Sequence, residues 1–208
     1  MAILQGLALG YLIGSIQPGL IVGRLFRRVD VREYGSGKTG FTNTLRTLGL
    51  GAAIIVLVSD VAKGVVPVLV GRFVLDDPWA AAIAGAAAVA GHNWPVFAGF
   101  RGGRGVATTF GAFLAMAPIA AIVLLAASGL VLWATRYVSL MSVLGVAVGF
   151  AVLVGLVVTG WLHEGYLLFG VLAFLWVELN HIDNIKRLLA GTEPKLGQGG
   201  ARRTSGGA

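Results

Sequence analysis

Glycine, arginine and hydroxyl side chains are concentrated in three short polar stretches of this chain. They are Gly35-Ser-Gly-Lys-Thr-Gly-Phe-Thr-Asn-Thr-Leu-Arg46, Gly91-His-Asn-Trp-Pro-Val-Phe-Ala-Gly-Phe-Arg-Gly-Gly-Arg-Gly-Val-Ala107 and His181-Ile-Asp-Asn-Ile-Lys-Arg-Leu-Leu-Ala-Gly-Thr-Glu193. In the first, Gly35, Gly37 and Gly40 surround Ser36, Lys38 and Thr39. Such spacing lets successive backbone N–H groups converge on one anion while a hydroxyl and an ammonium complete its shell. Thr42 or Asn43 can cap the helix that follows, and Arg46 lies about one turn further on, its planar fork suited to phosphate. The spacing is not that of a Walker A nucleotide loop. A glycine-rich turn with an arginine on lipid headgroups is the plainer reading of this stretch alone.

The second stretch repeats the pattern more densely: Gly102, Gly103 and Gly105 flank Arg104 at the opening of a short helix. Trp94, Pro95, Val96 and Phe97 read as an interfacial anchor, and His92 as a structural hydrogen-bonding group ahead of a catalytic one. In the third, Glu178, His181 and Asn184 stand three apart on one helical face that can hold and orient a hydroxyl nucleophile. Asp60 and Lys63, also three apart, are costly in hydrocarbon unless they pair or face water. They form either part of a functional cavity or a structural ion pair. Arg136, Ser139 and Ser142 share a further face that can approach the same place.

The elements that must position these groups are oily. Of the 208 residues, 57% are hydrophobic and 12% charged, with mean hydropathy +0.86. A soluble domain carries about 25% charged residues. The expected fold is all-α: one polytopic membrane domain over residues 1–196, with a basic, disordered tail over 197–208. A span needs about 20 apolar residues. Apolar runs at about Ala2–Leu25, Leu48–Phe73, Trp79–Gly91, Val106–Met116, Ile119–Thr135, Ser139–Thr159 and Gly165–Asn180 predict about seven transmembrane helices. The third and fourth are too short to cross unaided. Short spans beside glycine-rich loops imply a cavity that brings polar backbone to membrane depth. The first run has no basic leader or small-residue cleavage site and reads as a helix, not a signal peptide.

With the N-terminus outside and the C-terminus cytoplasmic, all 16 basic residues except Lys63 and Arg72 fall on the inner side, a strong positive-inside pattern. That places all three polar stretches on one face, as a shared site requires. The net charge of +7 then reflects anionic lipid and not nucleic acid. The absence of cysteine and the three scattered histidines argue against a disulfide framework, a thiol nucleophile and a metal centre.

Taken together, these stretches resemble the bacterial acyl-phosphate:glycerol-3-phosphate acyltransferases, the PlsY family of integral membrane enzymes. The chain matches the three signature regions in order and spacing; Asp60-Val-Ala-Lys-Gly64 and Arg136-Tyr-Val-Ser-Leu-Met-Ser142 are also family-like. The resemblance implies transfer of a fatty acyl group from acyl phosphate to the 1-hydroxyl of glycerol 3-phosphate. The products would be lysophosphatidic acid and phosphate, formed on the cytoplasmic side of the bacterial plasma membrane. It implies no cofactor, no metal and no obligate protein partner. Ser36, Arg46, His181 and Asn184 are then the catalytic candidates. Gly35, Gly37, Lys38, Thr42, Asn43, Lys63, Gly102, Gly103, Arg104, Gly105 and Ser142 are the substrate-binding candidates, with Glu193 mainly structural. Lys38 stands where the family usually has Asn, and Arg104 where Lys is common; both keep or add positive charge. A transporter or channel for an anionic phosphate compound is the rival reading, but it calls for polar features on both faces, and the outer loops are short and nearly featureless. The paired-aspartate metal motif of the CDP-alcohol phosphotransferases is missing from the sequence.

Overall fold

Pro18 sets the first departure from a simple run of spans. Proline lacks an N–H and holds the residue before it extended, so the first apolar run breaks into α1 (Ala2–Ser15) and α2 (Pro18–Arg27) instead of forming one helix. The computed structural model describes residues 1–202 and continues with α3 (Phe41–Leu48), α4 (Leu50–Leu69, extended by a π turn to Val74) and α5 (Pro78–Asn93). Then come α6 (Val106–Met116), α7 (Pro118–Thr135), α8 (Val138–Val158), α9 (Gly165–Asn180) and α10 (Ile182–Leu189). Among the described residues the architecture is all helical, and the one β pairing is an isolated bridge between Tyr34 and Arg202.

Among the described residues, four segments are long and apolar enough to cross a bilayer: Ala2–Arg27, Leu50–Val74, Pro118–Thr135 and Val138–Val158. Counting α9 with α10 across their 53° bend gives a fifth. The 16-residue α5 and 11-residue α6 are the short pair that the sequence predicts; α6 reaches only about 16 Å at 1.5 Å per residue.

Small residues let these helices approach closely. Gly6, Gly10 and Gly14 of α1 lie against the backbone of Ala80, Ala84 and Ala88 in α5, and a β-carbon on Gly10 would overlap the Ala84 carbonyl. Gly64 of α4 and Gly111 of α6 make a reciprocal contact with Thr108 and Val61. This small-residue packing replaces the hydrophobic drive that lipid does not supply. A larger-residue core joins α4, α6, α8 and α9 through Val68, Phe113, Met116, Val146, Leu153 and Phe169, with the Phe113 and Phe169 rings edge to face at 5.2 Å.

Two more elements differ from expectation. Gly49, at φ +91°, separates α3 from α4, so Arg46 sits in the last turn of a short independent helix and not inside the second span. Gly40 is the N-cap of α3; Thr42 and Asn43 lie within its first turn and do not cap it. The last apolar helix also does not run straight on: it bends at His181, which splits the expected continuous Glu178–His181–Asn184 face. Of the tail, Gly197–Arg202 is described and pairs with the segment before the first motif. Positions 203–208 lie outside the described residues.

Candidate functional site

The three motifs meet at one cavity of about 890 Å³. Gly35, Ser36, Lys38, Thr42, Asn43 and Arg46 line it from the first stretch, Arg104 and Gly105 from the second, and His181, Asn184, Arg187 and Glu193 from the third. Ser139 and Ser142 of α8 complete the polar end. The cavity also has an apolar lining, its arm, of Leu57, Val61, Phe110, Leu124, Leu125, Val138 and Met141. Sequence reasoning misses both that arm and Arg187, because apolar residues of a membrane helix carry no mark of facing a cavity rather than lipid. It also misses Asn180, which stands just before the third stretch and lines the cavity from the end of α9.

The first loop is shaped by Asn43. Its Nδ2 donates to the carbonyls of Val31 (2.7 Å) and Lys38 (2.8 Å), and its Oδ1 accepts from the Ser36 N–H at 2.9 Å. Asn43 thus lines the cavity as a staple for the loop that presents Ser36. Gly35 (φ +51°) and Gly37 (φ +70°) take left-handed backbone that only glycine adopts cheaply. Thr39 faces away, its hydroxyl donating to Gln17 Oε1 at 2.6 Å.

The second loop rests on His92. The Gly103 N–H donates to the His92 carbonyl (3.0 Å) and the Gly102 N–H to the Asn93 carbonyl (3.2 Å), so neither amide serves as an anion donor. A β-carbon on Gly103 would overlap the His92 ring. Gly103 is a packing residue, and Gly102 and Gly37 line a smaller adjoining cavity of about 240 Å³ that shares Ser36, Lys38 and Asn180 with the larger one.

Lys63 does not line either cavity. Its ammonium lies 2.9 Å from Asp60 Oδ1 and 3.0 Å from His92 Nδ1, itself 3.4 Å from Asp60 Oδ1, and donates to the carbonyls of Ile16 (2.7 Å) and Gly14 (3.2 Å). Those two carbonyls are set free by the break at Pro18. The pair has both characters: Asp60 and His92 line the larger cavity, while Lys63 behind them caps α1 and supports His92 beneath the second loop.

The polar end is electropositive. Arg46 Nε and Arg104 Nε are both buried and unpartnered. Burial pushes the Arg104 guanidinium down to about 10; Glu193 opposes the shift, and Arg187 and Arg46 add to it. Burial also lowers Arg46, again opposed by Glu193. Both remain cations at neutral pH, so the buried charge favours a multiply charged anion.

At the bend, His181 Nδ1 lies 2.8 Å from the Val177 carbonyl. A carbonyl only accepts, so Nδ1 carries the proton and Nε2 is left as a base. Asn184 Nδ2 donates to Glu193 Oε1 at 2.6 Å while its Oδ1 is buried without a partner. Arg187 Nε donates to Glu193 Oε2 at 2.8 Å. Burial acts to raise Glu193, but the bonds from Asn184 and Arg187 win and hold it below the usual carboxylate value. Among the described residues no cluster of three or more His, Cys, Asp or Glu can hold a metal ion. Cationic, imidazole, hydroxyl and apolar side chains thus line one cavity, a combination suited to an amphiphile that carries phosphate.

Residues 4–191 match a family model described as glycerol-3-phosphate acyltransferase. The chain is 45% identical over 193 residues to a glycerol-3-phosphate acyltransferase of Halalkalibacterium halodurans, covering 90% of this chain and 92% of that one. It is 44% identical over 204 residues to glycerol-3-phosphate acyltransferase 3 of Dehalococcoides mccartyi, covering 90% and 93%. The crystal structure of PlsY (YgiH), an integral membrane glycerol 3-phosphate acyltransferase, in its glycerol 3-phosphate form superposes with a TM-score of 0.85 at 36% identity. That match covers 95% of this chain and 96% of the other. The lysophosphatidic acid form of the same protein gives 0.82 at 35% identity, over 94% and 95%.

Proposed function

We propose, from the premise that the chain belongs to the glycerol-3-phosphate acyltransferase family, that it moves a fatty acyl group from acyl phosphate to the 1-hydroxyl of glycerol 3-phosphate. One observation carries the reading: Arg46 and Arg104, each with a buried and unpartnered Nε, line a cavity that is also lined by a set of apolar side chains. The glycerol 3-phosphate and lysophosphatidic acid forms of the solved relative support the substrate and the product.

The glycerol oxygen attacks the acyl carbonyl carbon, the bond from that carbon to the phosphate oxygen breaks, and phosphate leaves with the electron pair. An acyl phosphate is a mixed anhydride with a good leaving group, so no acyl-enzyme is needed. His181 Nε2 accepts the hydroxyl proton, and a substrate phosphate oxygen is the alternative acceptor. Asn184 orients the hydroxyl. Arg46, Arg104, Lys38 and Ser36 stabilise charge on the two phosphates. Holding both reactants in one pocket contributes several of the roughly 7–11 kcal/mol that good alignment can supply. In this reading about seven helices lie at membrane depth, the N-terminus is outside, and the site opens to the cytoplasmic face of the bacterial plasma membrane.

Purified protein given glycerol 3-phosphate tests it, with palmitoyl phosphate set against palmitoyl-CoA. Lysophosphatidic acid and inorganic phosphate forming together from the acyl phosphate alone support the reading. Product from the thioester alone refutes the donor assignment. No product from either, with folded protein, favours a transporter.

A further inference from the structure

After α10 the chain returns to the polar end of the cavity, beyond residue 191, where the family match stops. The Leu196 N–H donates to the Arg136 carbonyl at 2.8 Å, anchoring the return to the junction of α7 and α8. A turn at Lys195–Gln198 follows, closed by a 3.0 Å bond from the Gln198 N–H to the Lys195 carbonyl. The strand-like end then meets the first motif. The Gly35 N–H donates to the Ala201 carbonyl at 3.0 Å, and Tyr34 bridges Arg202. Arg202 Nη2 lies 3.0 Å from Glu33 Oε2.

This segment touches the site itself. Pro194 and Gly199 line the cavity, and a β-carbon on Gly200 would lie 3.0 Å from the Arg46 carbonyl oxygen. One on Gly35 would lie 2.9 Å from the Gly199 carbonyl oxygen. The helix that carries Arg46 has only eight residues, too few to hold its own shape without packing. The Arg202–Glu33 pair is exposed on both sides, so it contributes little by itself. Backbone pairing at Gly35 and close packing on Arg46 carry the contact.

We propose that Gly197–Arg202 is a positioning strap that holds Arg46 and the Ser36 loop in the geometry that binds the phosphate of glycerol 3-phosphate. The strap touches the cation-bearing elements and none of the residues at the reacting hydroxyl, so it acts on substrate affinity and not on the chemical step. This rests on the reading of the cavity given above.

The test compares the full chain with one ending at Arg202, one ending at Leu196, and the full-length variant Gly200→Val. Each is assayed for kcat, for KM toward glycerol 3-phosphate, and for thermal unfolding. Ending the chain at Leu196 raises KM about tenfold, the scale of one lost phosphate contact, with kcat within about twofold. Gly200→Val, which keeps the strap but crowds Arg46, moves KM the same way. Ending at Arg202 changes neither constant. Unchanged KM in both the Leu196 chain and Gly200→Val overturns the proposal, as does an equal fall in kcat and melting temperature, which marks a purely structural role. A full chain that neither binds nor turns over glycerol 3-phosphate overturns the substrate reading beneath it, an outcome distinct from failure of the strap.

Discussion

Lys63→Met separates a structural cation from a substrate-binding one. Methionine is close to lysine in length, so the change removes the ammonium with little loss of volume. What remains is the buried Asp60 carboxylate, which loses its cation at 2.9 Å and keeps only His92 Nδ1 at 3.4 Å, together with the Gly14 and Ile16 carbonyls at the α1 break. Removing one member of a buried pair costs about 3–5 kcal/mol. The lost carbonyl bonds belong to the same network and are not added in full. At roughly 2–4 °C per kcal/mol for a chain of this size, the melting temperature falls by about 6–20 °C. The double variant Asp60→Asn with Lys63→Met removes the stranded charge and recovers more than half of the loss. Thermal unfolding in a mild detergent reads both, alongside KM for glycerol 3-phosphate. A melting temperature within about 2 °C of wild type, the scale of less than 1 kcal/mol, paired with a sharply raised KM, would refute the structural assignment and return Lys63 to the substrate. A double variant no more stable than the single would refute the charge argument.

Three further outcomes follow from the same geometry. His181→Ala lowers kcat by about 10²–10⁴, the usual share of a general base, while expression and melting temperature stay near wild type; near-normal turnover would hand the proton to a substrate phosphate. Arg104→Lys keeps a charge but gives up the planar fork, raising KM for glycerol 3-phosphate less than Arg104→Ala does, and equal effects from both would show that the planar fork, not the charge, carries the contact. Glu193 is held below its unfolded value near 4.5, so the stability it adds is present above that pH and drains away as pH falls through the lower folded value. Glu193→Gln removes that part of the acid unfolding curve, measured by melting temperature from pH 7 down to 3, and a parallel curve in the variant would contradict it.

What the sequence reveals and what it hides divide along the range of the interactions. Glycine, arginine and serine clusters advertise their chemistry locally, so the convergence of Ser36, Arg46, Arg104, His181 and Asn184 on one cavity is legible in residue types and spacing alone. The start of α6 at Val106, after a glycine-rich loop, and the limits of α9, where polar residues interrupt the apolar run, are legible too. Pro18 stands in plain view, yet a hydropathy window averages one proline away and reads a single helix. The partners of Lys63 lie 47 and 49 residues back in the chain, and no local pattern points to them. Asn43 shows the limit of composition most clearly: an amide in an anion-binding motif suggests a ligand contact, but three backbone bonds consume it.

The proposed reaction explains why this site gathers so many partly buried cations. Both reactants carry phosphate, and bringing two such anions together in an apolar surrounding is opposed by their mutual repulsion. Glu193 is the carboxylate that acts most strongly on Arg104, and Asn184 Nδ2 and Arg187 Nε already engage it. Taking the Arg104 guanidinium out of water costs folding energy, as its lowered value records. Substrate phosphate returns that energy on binding, so the same desolvation that weakens the unliganded fold sharpens the preference for a doubly charged headgroup. The apolar arm works in the opposite sense, drawing in a chain that water rejects. An amphiphile with a phosphate at one end satisfies both demands at once, and a free fatty acid or a neutral glycerolipid satisfies only one.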